Sequence, residues 1–278
     1  MIEINNLSFS YKKSFKLFDN LNLSTKKGHI YGLLGKNGAG KTTLLKQVCG
    51  LLFPKGGSCS IDNLMSKNRN PEFLKKFYFI PEEFNTPSIS VNKYIKIYSP
   101  FYPNFSLSDY EDYASQLNVP DRTGLNKMSY GQKKKFLLAF GLACNTDVVI
   151  MDEPTNGLDI PSKSTFRKII TAAINENKVF IISTHQIRDI DSIIDGVIIL
   201  DNGIIRFNNF IDEISEKIKF TTTAEDDTSE DILYSEPGLG GNKSICKNTN
   251  KEFTKPDMEI LFNAVITKDS KLINYLNN

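Results

Sequence analysis

Gly35-Lys-Asn-Gly-Ala-Gly-Lys-Thr-Thr43 decides how the rest of this chain is read. The stretch fits G-x-x-x-x-G-K-[ST], the phosphate-binding loop. Small residues at Gly35, Gly38, Ala39 and Gly40 let the backbone wrap closely around a polyphosphate, with Lys36 and Asn37 inside the same wrap. The backbone N–H groups then point inward as an anion nest. Lys41 can reach the β- and γ-phosphates, and the Thr42 hydroxyl can ligate Mg²⁺. Thr43 continues into a helix whose positive N-terminus faces the phosphates. The flanks agree: His29 to Leu34 reads as a short buried strand, and Leu44, Leu45 and Val48 give a helical face after the loop. Strand, loop and helix in that order are the context the motif needs.

Downstream, Asp147-Val-Val-Ile-Met-Asp-Glu-Pro154 is an apolar strand ending in two carboxylates. Such a strand is the usual partner of a phosphate loop, delivering an Asp toward Mg²⁺. Asp152 is expected to hold the metal through water, and Glu153 to act as general base on an attacking water. Val179 to Ser183 is another buried strand, running into Ser183-Thr-His185; His185 ends a core strand as the other site residues do. His29 precedes the loop strand and is read as structural. Phe77 to Ile80 runs into Pro81-Glu82-Glu83, where Glu82 is either a carboxylate near the γ-phosphate or part of a charged loop.

Upstream, Ile2, Ile4, Leu7 and Phe9 fall at strand intervals, and Phe18 to Leu23 gives a second strand. The two can pair beside the nucleotide. Tyr11 then either packs half-buried or stacks on a base. Between Phe73 and Tyr113 stand 12 of the chain's 30 aromatic residues, so this segment is set apart from its neighbours. Pro87, Pro100 and Pro103 cut it into short helices, read as an inserted helical subdomain whose aromatics form its own core or an exposed groove for a partner. In Met128-Ser-Tyr-Gly-Gln132, Ser129 sits as a helix N-cap, and its hydroxyl, the Gly131 backbone and the helix N-terminus could together bind phosphate. Lys133, Lys134 and Lys135 read as a solvated helix face. Asn156 to Asp159 makes a turn before a helix opened by Pro161.

Net charge is +2, with 34 basic and 32 acidic residues among 278. That gives no electrostatic case for nucleic acid or an anionic membrane surface. Cys49, Cys59, Cys144 and Cys246 are scattered without a C-x-x-C pair and read as core residues in a reducing compartment. Met1-Ile-Glu-Ile-Asn5 lacks the pattern of a signal peptide, and no apolar stretch is long enough to span a bilayer. Any membrane role is expected to go through a partner chain. Thr221 to Glu236 carries six acids and no basic residue and reads as a solvated linker. Beyond it, Asp257 caps a helix with Met258, Leu261, Phe262 and Val265 at helical spacing, enough to dock but not to build a large core.

These stretches, in this order, resemble the ATP-binding cassette (ABC) ATPases, the nucleotide-binding subunits of membrane transporters. The resemblance covers about 1–217 and implies an α/β fold: a P-loop NTPase (RecA-like) core, a small antiparallel β subdomain and an inserted α-helical subdomain at about 82–145. A linker at 218–241 and a short C-terminal extension at 242–278 lie outside the motifs. The family's signature falls on Met128 to Gln132, its aspartate loop on Asn156 to Asp159, its switch histidine on His185 and its adenine-stacking aromatic on Tyr11. Met128 and Tyr130 depart from the signature, while Ser129 and Gly131 keep it. Glu82 stands where the family carries a glutamine at the Mg²⁺ site, and Pro-Glu-Glu loops resemble those of bacterial exporter-type cassettes with separate membrane chains. The implied ligands are ATP and Mg²⁺, the metal held by Thr42, Asp152 and Glu82. The implied catalytic residues are Lys41, Glu153 and His185. ATP would lie between two cassettes arranged head to tail, as a homo- or heterodimer, with Ser129, Gly131 and Asp159 at the dimer interface and Ser129, Gly131 and Gln132 reaching the partner's nucleotide. A transmembrane permease subunit completes the machine, and the chain would sit in the cytoplasm, peripheral on the inner face of the cell membrane. The rival readings are a soluble cassette ATPase acting on a non-membrane partner, and a nucleotide-binding regulator; intact Glu153 and His185 argue against the second.

Overall fold

The computed structural model describes residues 1–12, 16–120, 123–224, 229, 231–267 and 271–277. Strands β1 (Ile2–Phe9), β2 (Phe18–Ser24), β4 (Gly56–Ile61) and β5 (Leu64–Met65) form an antiparallel sheet in the order β2-β1-β4-β5. β3 (His29–Leu34), β6 (Phe77–Ile80), β7 (Val148–Asp152), β8 (Val179–Thr184), β9 (Gly196–Asp201) and β10 (Ile204–Phe210) form the central sheet, ordered β10-β9-β3-β8-β7-β6. Its strands are parallel except β10, which returns antiparallel through the Asn202-Gly203 turn. Both residues of that turn have positive φ, and a Cβ on Gly203 would collide with the Leu17 carbonyl.

Every residue of β7 and β8 is buried, as parallel strands covered on both faces require. Side chains alternate between the two covers. Val149, Met151, Phe180 and Ile182 pack with α5 (Tyr130–Ala143) and α6 (Ile160–Ala173). Val148, Ile150, Val179 and Ile181 pack with the antiparallel sheet and α1 (Lys41–Val48). α2 (Pro71–Leu74) adds Phe73 to that second core.

α3 (Val91–Tyr98) and α4 (Leu107–Gln116) lie between β6 and β7 in sequence and pack with α5. Their aromatics form a core: the Tyr94 ring meets Phe136 at 5.0 Å and Phe140 at 5.2 Å, both edge-on. The same segment also exposes Phe101.

The stretch 218–241 departs from expectation. Its described residues are not a linker but carry β11 (Ile218–Thr223) and β12 (Ile232–Gly238), which flank β13 (Gly241–Lys247) in a three-stranded antiparallel sheet. Four of the six acids, at 225–227 and 230, lie outside the described residues. The reason for the difference is pairing. Thr221, Thr222 and Thr223 have no apolar alternation to mark them as a strand, yet they find register partners in Ser244, Lys243 and Asn242. α7 (Ile211–Lys217) precedes this sheet, and α8 (Met258–Ile266) and α9 (Lys271–Asn277) follow it. Asp257 caps α8 as expected, accepting from the Glu259 and Ile260 N–H groups at 3.0 and 3.3 Å. Met258, Ile260, Leu261, Ala264 and Val265 of α8 belong to the same apolar core as Ile187, Val197 and Phe207. All four cysteines are buried. Among the described residues no helix is long and apolar enough to cross a membrane.

Candidate nucleotide site

Parallel pairing of β3, β6, β7 and β8 brings their C-terminal ends to one edge of the sheet, where open α/β sheets bind ligands. The loop from Gly35 to Gly40 leaves β3 and enters α1. Gly38 and Gly40 have φ of 80° and 107°, the left-handed region that only glycine adopts freely, so the motif's small residues are used as the sequence suggests. Lys41 is buried; its ammonium donates to the Gly35 carbonyl at 2.8 Å and stands 4.0 Å from Glu153 Oε1. Burial lowers the Lys41 pKa, opposed by the charges of Glu153, Asp152 and Glu82.

Asp152 ends β7, fully buried. It accepts from the Thr42 hydroxyl at 2.7 Å and from the Ser183 hydroxyl. Asp152 and Ser183 are register partners in β7 and β8, so the sheet itself sets this contact. The next residue, Glu153, is the first off the strand and takes φ 47°, a left-handed conformation that costs a non-glycine residue about 1–3 kcal/mol. Its N–H is held by the Ser183 carbonyl at 3.1 Å. Its carboxylate is buried with Oε1 2.9 Å from His185 Nδ1, while Oε2 has no partner among the described residues.

Glu82 leaves β6 on the same edge. One carboxylate oxygen accepts from the Asn156 side chain at 3.0 Å, and the Glu82 carbonyl accepts from the Tyr130 hydroxyl at 2.7 Å. Tyr11 sits 63% exposed at the rim, its hydroxyl 2.9 Å from that of Thr43 and its ring edge-on to Phe9. A cleft of about 610 Å³ is lined by Tyr11, Lys36, Asn37, Gly38, Gly40, Lys41, Thr42, Thr43, Glu82, Glu153 and His185. Gly35 and Asp152 stand behind it, as does Ala39, which is buried.

Ser129, Gly131, Gln132 and Asp159 are not brought to this cleft. Ser129 and Gln132 form a reciprocal capping box at the start of α5, with bonds of 3.2 and 2.9 Å. Gly131 leaves no room for a side chain: a Cβ there would meet the Gly157 carbonyl at 2.8 Å. Asp159 caps α6, accepting from the Ser162 N–H at 2.8 Å. Sequence reading missed three residues. Ser183 was legible as a hydroxyl in an otherwise apolar strand end. Asn156 became a partner of Glu82 only through the fold. Lys134 does not belong to the solvated face that the three lysines suggest: it is fully buried, because α5 turns it toward the strand ends while Lys133 and Lys135 stay partly exposed. Burial pushes the Lys134 pKa down to about 8.

Thr42, Asp152 and Glu82 offer hard oxygen donors of the kind Mg²⁺ prefers. No group of three or more His, Cys, Asp or Glu residues with metal-site geometry stands among the described residues. The donor set therefore fits an ion shared with phosphates, which is the usual habit of Mg²⁺ in ATPases.

Loop, acidic strand and sheet order define a P-loop NTPase. The family model described as "ABC transporter" matches residues 18–156, half of the chain. The ABC transporter ATP-binding protein NatA of Bacillus subtilis is 27% identical over 233 residues, covering 80% of this chain and 90% of NatA. The energy-coupling factor transporter ATP-binding protein EcfA2 of Staphylococcus epidermidis is 31% identical over 224 residues, covering 73% and 78%. The solved dimer of the ATP-binding cassette MJ0796, in a post-hydrolysis state bound to ADP and Pi, superposes with TM-score 0.66 at 22% identity, covering 76% of this chain and 99% of that one. The chain belongs to the ABC transporter family. It is an ATP-binding and ATP-hydrolysing subunit of that family, and the rival of a cassette working on a non-membrane partner is not favoured by these relatives.

Proposed function

We propose that this ATPase drives export of a substrate across a membrane, through a separate transmembrane permease subunit and as one of two cassettes in a head-to-tail dimer. The cassette would lie in the cytoplasm, peripheral on the membrane's inner face. Lys41 and the amides of Gly35 to Thr43 hold the β- and γ-phosphates, and Tyr11 packs on the adenine. Thr42, Asp152 and Glu82 would hold Mg²⁺, which would supply positive charge to neutralise the phosphates. Glu153 takes a proton from the attacking water, and His185, against its other oxygen, fixes the carboxylate's direction. Ser129, Gly131, Gln132 and Asp159 serve the partner's site, in line with their distance from this chain's own cleft. Export is the reading favoured by Pro81-Glu82-Glu83. A groove of about 680 Å³ between β6 and α3, lined by Arg69, Leu74, Tyr94, Tyr98, Phe101 and Tyr102, is the surface offered to the permease.

One observation carries this reading: Glu153 is buried and strained on the cleft wall, with one oxygen fixed by His185 and the other unpaired. Glu153→Gln keeps the shape and removes the base. Turnover is expected to fall by about 100-fold or more, with ATP binding retained. ATP should then shift the variant from monomer to dimer in sizing experiments, by mass action on the closed form. Adding Ser129→Arg should abolish the shift. A Glu153→Gln protein with normal turnover would remove Glu153 from the mechanism.

A further inference from the structure

Lys134 has no part in the reaction outlined above, yet its side chain is 0% exposed. Its ammonium donates to the Pro81 carbonyl at 3.1 Å and the Asp152 carbonyl at 3.4 Å, and lies 5.7 Å from the centre of the Phe84 ring. Those carbonyls sit just past β6 and at the end of β7, adjacent strands, each one residue before a site carboxylate: Glu82 and Glu153. Among the described residues the ammonium makes no direct ion pair. The charges of Glu82, Asp152 and Glu153 reach it through space, Glu82 most strongly. A buried ammonium is destabilising unless charge and hydrogen bonds offset it, so its place beneath three carboxylates is not incidental. Lys41, the other buried cation of the site, faces the cleft and is engaged by phosphate once ATP binds. Lys134 does not line the cleft, so it remains to balance the carboxylates from behind.

Resting on the site roles given above, we propose that Lys134 is a positioning residue of the ATPase reaction. Its buried ammonium ties the ends of β6 and β7 together and supplies the internal countercharge that lets a Glu82 carboxylate stand beside Asp152 and Glu153. It acts through Glu82 and Glu153, not on the phosphates. Without it, three like charges share one low-dielectric edge, and the Glu82 loop moves away from β7.

The test is a cycle in the full chain: Lys134→Met and Lys134→Gln, each with and without Glu82→Gln, assayed for kcat and KM with Mg·ATP and for melting temperature. In the native background each lysine substitution should lower kcat by about 10-fold while KM changes less than about 3-fold, because geometry rather than binding is lost. In the Glu82→Gln background the same substitutions should lower kcat by only about 2- to 3-fold, a coupling that independent sites do not show. Equal losses in both backgrounds would overturn the countercharge role. Should Lys134→Met prove too unstable to assay, the melting temperatures decide: adding Glu82→Gln must raise those of both lysine variants, and no rise overturns the proposal. Glu153→Gln separates the two levels. If it turns over normally, the site roles fail and take this inference with them; if it is slow while the lysine losses are additive, only the inference fails.

Discussion

The nucleotide cleft and the C-terminal sheet differ in how they are held together. The cleft is built from four strand ends and one loop, with charged groups spaced by short motifs: Lys41 and Thr42 after Gly40, Asp152 and Glu153 at the end of β7. The C-terminal unit has no motif. β11 reaches its partner β13 across a long intervening stretch, and α8 returns to pack with Ile187, Val197 and Phe207 of the central sheet's side. Polar chemistry fixes the first region and apolar burial anchors the second. Substitutions should therefore separate the two: loss of function with little loss of stability in the cleft, and the reverse at α8.

The largest effect is expected at Lys41. Hydrogen bonds to charged groups contribute about 1.5–3 kcal/mol, so losing the cation that faces two phosphates should weaken ATP binding by roughly 100-fold. Equilibrium binding of a labelled nucleotide to Lys41→Ala checks this. The melting temperature without nucleotide should not fall, because the buried ammonium pays a desolvation penalty in the empty cleft. Near-native affinity would break the phosphate-loop assignment.

The same contrast explains what the sequence made legible. Phosphate-loop residues, Asp152, Glu153 and His185 are adjacent to strands whose apolar runs announce them, and parallel pairing then gathers them. The helix cap at Asp257 is local and was equally readable. Two things were not readable. Burial of Lys134 depends on the angle of α5 over the strand ends, which three consecutive lysines do not reveal. β11 depends on a partner far along the chain, and its polar residues look solvated until β13 is placed beside it. Pairing across the chain, unlike a motif, leaves no fixed spacing to read.

A middle-sized effect is expected at Leu261, which is 0% exposed in the core that α8 shares with the central sheet. Leu261→Ala should lower stability by about 2–5 kcal/mol, the usual range for a buried leucine. Thermal melting and denaturant titration should both register it, while ATP affinity of the folded fraction stays within about 2-fold, since no α8 residue lines the nucleotide cleft. Removal of 218–278 should act in the same direction and more strongly, because it uncovers Ile187, Val197 and Phe207 together. A truncated chain as stable as the whole would show that α8 is merely laid against the cassette, and the contrast between the two regions would collapse.

The smallest effect sharpens the contrast within α8 itself. Arg188, in the short turn after His185, makes a bidentate pair with Glu259, its Nε and Nη2 donating at 2.9 and 2.8 Å. The geometry is good, and the pair links the segment after His185 to the C-terminal unit. Both side chains face solvent, however, Arg188 at 81% and Glu259 at 40%. Water competes for each charge, salt screens the pair, and ordering two long side chains offsets part of the attraction. The Arg188 pKa is raised by its hydrogen bonds to Glu259, which records the contact without making it strong. Arg188→Ala should therefore shift the melting temperature by no more than about 1 °C, and less in high salt. Leu261→Ala, in the same helix, should shift it several times as far. If Arg188→Ala instead matched Leu261→Ala in stability, or slowed turnover as much as a cleft substitution, α8 would be held by charge and coupled to His185, and the division between a polar site and an apolar anchor would have to be redrawn at this turn.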